Sequence, residues 1–293
     1  GEGRRSLSYL PLAHIAEQQA SVHNHVVGGG CLYFARSMET VAEDLLHVRP
    51  SGFFGVPRVW EKMQAKIQAR LAEAPESRRK MAEWAMSAVR ARLEAELEGR
   101  SPGPWVSLQA ALGDALVVKK IRAALGLDEA SFLVSGAAPI SPEVLRFFLG
   151  LGMVVYEGYG QSETAAPTSA NLPGAVRFGS VGRAFDGIEV KTDADGELLV
   201  RTPGIFAGYM KDNEATEASF TAEGWLKTGD LARIDEDGFI FLTGRKKDII
   251  ITSGGKNITP ANIETALMDI PVVEHAVVTG DGRPFLGALI TLS

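Results

Sequence analysis

Eight consecutive residues, 157–164, combine groups that could bind a nucleotide phosphate. They read Glu-Gly-Tyr-Gly-Gln-Ser-Glu-Thr and directly follow the apolar run 153–156. Glycine lets a backbone approach a ligand closely, the Tyr159 ring could stack on a base, and the Ser162 hydroxyl could hydrogen-bond a phosphate. The Glu163 carboxylate offers the oxygen ligands that Mg²⁺ prefers. Taken alone, however, the segment is equally consistent with a flexible loop.

A second loop of small residues should meet the first at one edge of a sheet. The apolar run 132–134 ends in Ser-Gly-Ala-Ala-Pro, residues 135–139. Ser141 then offers a helix N-cap, followed by proline at the first helical position and an acid near the positive helix end. This helix should end near Gly150, before a strand at 153–156. The crossover should be right-handed and the strands parallel, so both loops follow carboxyl strand ends, where open α/β sheets bind ligands.

Two later clusters carry side chains suited to a ribose. Residues 225–230 read Trp-Leu-Lys-Thr-Gly-Asp, and residues 244–248 read Gly-Arg-Lys-Lys-Asp, with a hairpin signal at 235–238 between them. Asp230 could accept both ribose hydroxyls, and the Arg245 fork could hold a hydroxyl or a phosphate oxygen. Taken singly, each cluster is better explained as a surface turn or a solvated charge run.

In this order the clusters resemble the adenylate-forming enzymes: acyl-CoA synthetases, aryl-CoA ligases, luciferases and peptide-synthetase adenylation domains. The resemblance extends from Leu10 to the last residue. Residues 56–63, Val-Pro-Arg-Val-Trp-Glu-Lys-Met, and residues 252–258, Thr-Ser-Gly-Gly-Lys-Asn-Ile, are similar to the long-chain acyl-CoA synthetase branch. The resemblance implies ATP, Mg²⁺ and coenzyme A as co-substrate, with a fatty acid as substrate.

The resemblance also implies a set of nucleotide-binding residues: Gly136, Ala137, Ala138, Pro139, Tyr159, Gly160, Asp230 and Arg245. The first four correspond to the loop along the adenine. Tyr159 corresponds to the residue that packs on the base, and Asp230 and Arg245 to the pair that reaches the ribose.

Further roles follow from the same resemblance. Ser162 corresponds to the hydroxyl near the phosphate, and Glu163 to the carboxylate that binds magnesium. Lys247 falls at the hinge about which a small C-terminal domain swings between two half-reactions. His14 corresponds to a wall of the acyl pocket, with a structural histidine as the alternative, and Gly254 to the loop that lines the channel for CoA.

Two family features fall outside this sequence. The glycine-, serine- and threonine-rich phosphate loop would precede Leu10, and the lysine that contacts the acid carboxylate would follow Ser293. The first residue is Gly1 rather than Met, and Ile251 stands where some relatives carry a lysine. We therefore expect an internal fragment of a larger enzyme, and we expect the isolated chain to be inactive.

The fold class expected is α/β, in three parts. Residues 1–165 should form a parallel-sheet α/β subdomain that binds nucleotide and acyl group, with a helical insertion at 59–105. Residues 166–246 should form a small β-barrel-like subdomain, and 247–293 the start of a mobile α+β C-terminal domain. The turn and strand signals indicate strands at 31–34, 51–55, 188–192, 197–201, 239–243, 248–252, 272–278 and 286–292, and helices at 40–47 and from Pro260. The strands at 31–34 and 51–55 should form another strand–helix–strand unit with the helix at 40–47.

The helical insertion is predicted from apolar residues at helical spacing, with Pro75 separating two helices. The residues in this pattern are Trp60, Met63, Ile67 and Leu71, followed by Met81, Trp84 and Ala88. A plain amphipathic helix pair explains the pattern, and packing is its expected role.

Composition agrees with this interpretation. At 293 residues, with 45% hydrophobic and 23% charged residues, the chain can bury a sizeable core in more than one domain. A single cysteine, Cys31, excludes an internal disulfide, fits a reducing cytosol and should be packed in the core. No apolar run of about 18 residues predicts a transmembrane helix, and a net charge of −6 argues against nucleic acid as a partner. We expect a cytoplasmic protein; peripheral membrane contact and oligomeric state stay open.

The function implied by the resemblance is that of a long-chain fatty acid–CoA ligase. Such an enzyme uses ATP to activate a carboxylic acid as an acyl-adenylate and then transfers the acyl group to CoA. Two alternatives stay open: a ligase for aryl or medium-chain acids, and a non-catalytic module that binds AMP or acyl-adenylate.

Overall fold

A computed structural model of the chain describes residues 3–268, 270 and 272–292. Gly1, Glu2 and Ser293, where we expect the chain to continue into a longer protein, lie outside the described residues. The strands are β1 (Arg5–Ser8), β2 (Cys31–Phe34), β3 (Gly52–Gly55), β4 (Phe132–Ser135), β5 (Val155–Gln161), β6 (Ala166–Ala170), β7 (Arg183–Ala184), β8 (Glu189–Thr192), β9 (Glu197–Arg201), β10 (Leu226–Ile234), β11 (Ile240–Arg245), β12 (Ile250–Ile251), β13 (Asn257–Ile258), β14 (Val273–Thr279) and β15 (Gly287–Leu292).

The α-helices are α1 (Ile15–Glu17), α2 (Asn24–Gly28), α3 (Val41–Val48), α4 (Pro57–Ala72), α5 (Glu76–Leu97), α6 (Pro104–Gly113), α7 (Lys119–Leu125), α8 (Pro142–Gly150), α9 (Asn213–Ala218) and α10 (Pro260–Met268). Gln18–His23 and Asp114–Val118 are π-helical, and Ser162–Thr164 and Lys246–Asp248 are 3-10 turns. In the part of the chain that the structure describes, we find no helix with the length and apolar character needed to cross a membrane.

The main sheet has the strand order β3-β4-β5-β6-β7. β3, β4 and β5 are parallel, and the register sets Ser135 opposite Glu157. The predicted unit of strand, helix and strand is confirmed, and Ser141 caps α8 by accepting a hydrogen bond from the Glu143 amide. One expectation is wrong: residues 157–161 continue β5 rather than forming a loop, because β6 folds back and pairs antiparallel with them.

The first strands are arranged differently from the prediction. We expected residues 31–34 and 51–55 to form one strand–helix–strand unit with the helix between them. The three elements are present as β2, α3 and β3. However, β2 pairs with β1 rather than with β3. β1 lies against β3 instead, because the Ser51 amide donates to the Arg5 carbonyl at 2.9 Å. Cys31 is exposed on β2, so its predicted place in the core is wrong.

The helical insertion packs on the main sheet through α4. The Trp60 side chain is fully buried and donates from Nε1 to the Gly55 carbonyl at 3.0 Å. Its ring meets the rings of Phe53 and Phe148 edge-on, at centroid distances of 5.6 and 5.1 Å. Met63 and Ile67 are buried on the same helix, so the pattern predicted for this helix is confirmed.

The predicted apolar face of α5 is only partly right. Ala88 is buried, but Met81 and Trp84 are 45% and 38% exposed. Small side chains form the buried face instead: Ala82, Ala85, Ala88, Val89 and Ala95. Only small side chains fit on this face because α6 packs very close to α5. A Cβ on Gly113 of α6 would lie only 2.9 Å from the Ala85 Cα.

A second sheet follows the main one, with the antiparallel order β11-β10-β9-β8. Leu198, Val200, Ala232 and Ile240 are buried in its core. The predicted hairpin joins β10 to β11, where the Asp235 carboxylate accepts from the Phe239 amide at 2.9 Å. Beyond it, β12 pairs with β13, α10 begins at Pro260 as predicted, and β14 pairs with β15.

The burial of Trp60 leads to a stability prediction. Trp60→Ala should lower the free energy of unfolding by about 3–5 kcal/mol, because it removes a large buried ring and leaves a cavity. Trp105 is 67% exposed on α6, so the matched change Trp105→Ala should cost no more than about 0.5 kcal/mol. Urea unfolding of both variants measures the difference, and equal losses would contradict the placement of Trp60.

Candidate functional site

A cavity of about 890 Å³ opens at the carboxyl edge of β5, beside the second sheet. Distant segments of the chain contribute to its wall. The lining residues are His14, Ile15, Ala137, Gly160, Gln161, Ser162, Glu163, Glu197, Tyr209, Ala215, Ala218, Ser219, Leu226, Lys227, Thr228, Gly229, Arg245, Lys246 and Lys247.

Many of the residues singled out in the sequence meet at this cavity. Those that line it are His14, Ala137, Gly160, Ser162, Glu163, Arg245 and Lys247. Those that do not line it are Gly136, Ala138, Pro139, Tyr159, Asp230 and Gly254. Tyr159 and Asp230 lie directly behind the lining residues, whereas Gly254 lies in the turn between β12 and β13.

Two close backbone contacts form the edge of the site. A Cβ at Gly160 would lie 2.1 Å from the Ala166 carbonyl oxygen, so only glycine fits where β5 and β6 meet. Across the edge, a Cβ at Gly136 would lie 3.1 Å from the Gly158 oxygen. The neighbouring Ala137 has φ 72°, in the left-handed region that non-glycine residues rarely adopt. The two predicted loops therefore approach each other through glycine positions and a strained alanine.

Asp230 is the centre of a buried hydrogen-bond network. Its Oδ1 accepts from Arg245 Nε at 2.9 Å, and its Oδ2 accepts from the Tyr159 hydroxyl and from Gln161 Nε2, each at 2.7 Å. Burial and the nearby Asp230 charge hold the pKa of Tyr159 well above its usual value. The phenol therefore stays protonated and donates to the carboxylate. The sequence predicted Tyr159, Asp230 and Arg245 as site residues, but it did not predict that Asp230 hydrogen-bonds the other two directly. Gln161 was not predicted as a site residue.

Glu163 faces the cavity from a 3-10 turn that follows β5. The Thr164 hydroxyl accepts from the Gln161 amide at 3.1 Å and helps to fix this turn. Tyr209, which the sequence analysis missed, donates from its hydroxyl to Glu163 Oε1 at 2.8 Å. Within the described residues, Glu163 Oε2 has no hydrogen-bond partner. The carboxylate is thus oriented through one oxygen and presents the other to the cavity.

His14 contributes to the site from the N-terminus of α1. Its Nδ1 accepts from the Ala16 amide at 3.2 Å, so the ring caps the helix. The same residue lines the cavity. A structural role as a cap and a place in the cavity wall are therefore compatible.

Glu197 and Lys246 also line the cavity. Lys246 belongs to the predicted cluster 244–248, but no individual role was predicted for Lys246 or Glu197. The Lys246 ammonium lies 2.9 Å from Glu197 Oε2 and 2.5 Å from Asp195 Oδ2. Hydrogen bonds to the Asp195 and Glu197 carboxylates hold the pKa of Lys246 above its usual range. In turn, the hydrogen bond from Lys246 is the main cause that lowers the pKa of Asp195 to about 2. The one local feature in the sequence that relates to Glu197 is the Asp195-Gly196 turn, which lies directly before β9.

Comparison with family models identifies the class of protein that this fold and site define. The model described as "AMP-binding enzyme" matches residues 1–210, and the model described as "AMP-binding enzyme C-terminal domain" matches residues 247–293. The chain belongs to the AMP-binding enzyme family.

Curated relatives match almost the whole chain. It is 41% identical to the long-chain-fatty-acid–CoA ligase ACSBG2 of Xenopus laevis, over 98% of the chain and 40% of that protein. It is 40% identical to the putative fatty-acid–CoA ligase fadD11 of Mycobacterium tuberculosis, over 98% of the chain and 51% of that protein. The chain thus spans about half the length, or less, of these relatives.

Solved structures share the fold. The adenylation domain of a carboxylate reductase from Mycobacterium chelonae superposes with a TM-score of 0.71 at 23% identity, over 98% of this chain and 42% of that one. The o-succinylbenzoate CoA synthetase of Bacillus subtilis, solved with its acyl-adenylate intermediate, also gives 0.71 at 23% identity, over 100% of this chain and 52% of that one.

Glu157 provides a pH-dependent test of the edge of the sheet. Its carboxylate accepts from the Gly179 amide at 3.1 Å, and burial raises its pKa from 4.5 to about 7. Since the folded state then holds the proton more tightly than the unfolded state, stability falls as the pH rises from about 4.5 to about 7.

Glu157→Gln keeps an acceptor for Gly179 and removes the charge. The variant should be unchanged relative to the parent at pH 4.5 and more stable by about 2 kcal/mol at pH 8, after allowance for partial exposure. Denaturant unfolding at the two pH values measures this difference. A difference that does not change with pH would show that the Glu157 carboxyl is solvated.

Proposed function

We propose that this chain is the nucleotide-binding part of an ATP-dependent long-chain fatty acid–CoA ligase. The enzyme would activate a fatty acid as its acyl-adenylate and then pass the acyl group to coenzyme A. The observation that carries the proposal is the cavity in which Ser162, Glu163, Arg245 and Lys247 meet, although they come from separate segments. The ligase names of the relatives support the substrate class.

The ribose and phosphates of ATP suit the charges around this cavity. The buried Asp230 carboxylate is a strong acceptor for ribose hydroxyls, and Arg245 already lies against it. Lys227, Lys246 and Lys247 also line the cavity and supply positive charge for a polyanion. We assign the adenine to the edge formed by Gly136, Ala137, Ala138, Pro139, Tyr159 and Gly160.

A magnesium ion fits the donor set at Glu163. The carboxylate is held through Oε1 by Tyr209, and hard oxygen ligands of this kind are those that Mg²⁺ selects. Bound Mg²⁺ would offset the negative charge of the phosphates. The protein's part would be to orient the Glu163 carboxylate and to keep the Ser162 hydroxyl beside the transferred phosphate.

The remaining assignments concern the acyl group, CoA and the movable part. We assign His14 to the wall of the acyl pocket and Gly254 to the CoA channel. Residues 1–165, 166–246 and 247–293 would act as separate domains, with Lys247 as the hinge between the last two. We also propose a cytoplasmic location for the enzyme.

Acid-dependent exchange of pyrophosphate into ATP tests this function. The assay needs an enzyme that carries this chain together with the flanking segments of its relatives. Exchange should depend on a long-chain fatty acid, and Glu163→Gln should lower its rate by about 10²–10³-fold, because charge on the phosphates is no longer offset. AMP affinity should change by less than about threefold, roughly 0.6 kcal/mol.

Tyr209→Phe is the matched control, since it keeps the Glu163 carboxylate and removes only its hydroxyl donor. Its exchange rate should lie between those of the parent and Glu163→Gln. An unchanged rate in Glu163→Gln would exclude the metal role. Faster exchange with an aryl or medium-chain acid would favour the alternative ligase, and AMP binding without exchange would favour a non-catalytic module.

The hinge assignment has its own test in the same enzyme. Lys247 is exposed in the Lys246–Asp248 turn, and proline there would fix φ near −65° and prevent a large backbone rotation. Lys247→Pro should leave the rate of one half-reaction within about threefold of the parent rate and lower the rate of the other by at least about 10²-fold. Pyrophosphate exchange and thioester formation from supplied acyl-adenylate measure the two separately. Equal, modest losses in both would instead indicate a solvated lysine in a charged turn.

A further inference from the structure

Glu197 is a buried carboxylate whose two oxygens bind two different parts of the site. Its side chain is only 5% exposed. Oε1 accepts from the Gly229 amide at 2.9 Å, and Oε2 accepts from the Lys246 ammonium at 2.9 Å. Gly229 directly precedes Asp230, and Lys246 directly precedes Lys247. One side chain therefore joins the segment that carries the proposed ribose ligand to the segment that carries the proposed hinge.

The Gly229 contact compensates for an interruption in the sheet. β10 pairs with β9 at Lys227–Leu199 and again at Leu231–Glu197, so residues 228–230 bulge out of the ladder opposite a single residue. Backbone groups in such a bulge lose their ladder partners and need others. The Glu197 carboxylate supplies one to the Gly229 amide. The Thr228 hydroxyl also fixes the bulge, since it donates to the Leu198 carbonyl and accepts from the Asp230 amide. Glu197 is therefore one of two side chains that hold the bulge beside Asp230.

The Lys246 contact compensates for the burial of a charge. A buried carboxylate is costly unless it is paired and hydrogen-bonded. Lys246 provides the cation and is shared with the more exposed Asp195. Carboxylate oxygens of Asp193, Asp195 and Glu197 lie within 4.8 Å of one another, and the lysine ammonium meets two of these three acids. The pair therefore keeps the start of the Lys246–Asp248 turn against the second sheet.

We propose that Glu197 is a positioning residue that couples the 228–230 bulge to the hinge turn through Lys246. The nucleotide side of this inference rests on the proposed function. Lys246 directly precedes the proposed hinge and shares its 3-10 turn with Lys247. A backbone change at Lys247 that unwinds this turn would displace the Lys246 ammonium, leave the Glu197 charge without its cation and weaken the hold of Glu197 on Gly229. The orientation of the C-terminal segment and the position of Asp230 are thus linked by one carboxylate.

Hydrogen–deuterium exchange on the chain without nucleotide tests the link itself. Lys246→Met and Glu197→Gln should each speed exchange at the Gly229 amide, and also across residues 246–251, by about tenfold. Exchange in the double variant should be no faster than in either single variant, because the two substitutions remove the same connection. In the part of the chain that the structure describes, Lys246 and Gly229 share no hydrogen bond and are joined through Glu197. An effect of Lys246→Met at the Gly229 amide would therefore pass through Glu197.

The matched control is Asp195→Asn, which removes the other acid from Lys246 but leaves Gly229 untouched. Its effect on Gly229 exchange should stay below about threefold, since exposed ion pairs contribute little. Lys246→Arg should restore most of the protection lost in Lys246→Met. If Lys246→Met changes exchange only at residues 246–251, or if Arg fails to restore the protection at Gly229, the proposal is overturned.

Binding of AMP and of adenosine, measured by calorimetry, tests the consequence for the nucleotide. Lys246→Met and Glu197→Gln should raise the dissociation constants of both ligands about three- to tenfold, without adding in the double variant. If Lys246 instead contacts phosphate directly, only Lys246→Met would weaken AMP binding, and adenosine binding would not change. That pattern would overturn the coupling. Absence of AMP binding by the unmodified chain would count against the proposed function, while the exchange measurements still decide the role of Glu197.

Discussion

The parallel register of β4 and β5 is the constraint on which the site depends. It sets Ser135, the last residue of β4, opposite Glu157, so the segment that follows β4 leaves the sheet beside the last residues of β5. β6 then returns along β5 so closely that Gly160 has no room for a side chain. Those contacts direct Gln161, Ser162 and Glu163 towards the second sheet. Without this register, the residues that line the cavity from the main sheet would not face Asp230.

Buried charge determines how the second sheet completes the site. Asp230 and Glu197 are both buried carboxylates, and two successive residues, Arg245 and Lys246, pair with them. The acids are buried, whereas the two basic side chains are about half exposed. Since a buried carboxylate is costly without a partner, these contacts help to fix the end of β11. Among the described residues, Lys227 and Lys247 make no ion pair, so they remain available to an anion in the cavity.

Local signals in the sequence predicted the elements well. Ser141 and Pro142 marked the start of α8, Pro75 the break between α4 and α5, and the aspartates at 235–238 the hairpin, because caps and turns are decided by neighbouring residues. Errors arose where distant residues decide. β1 takes the place beside β3 that the pattern gave to β2, and the close approach of Gly113 favours alanines over Trp84 on the buried face of α5. Tyr209 and Glu197 were missed for the same reason, since their partners Glu163 and Lys246 lie 46 and 49 residues away.

The C-terminal segment contacts the rest of the chain through very unequal interactions. An ion pair joins Arg58 on α4 to Glu274 on β14 at 3.3 Å, but both side chains are more than 40% exposed. Such a pair contributes at most about 1 kcal/mol. The contacts of Arg245 and Lys246 involve buried acids and are correspondingly stronger. Arg245 and Lys246 directly precede the C-terminal segment, so their ion pairs fix the point at which the chain enters it. A change in these two pairs would also alter the surroundings of Asp230.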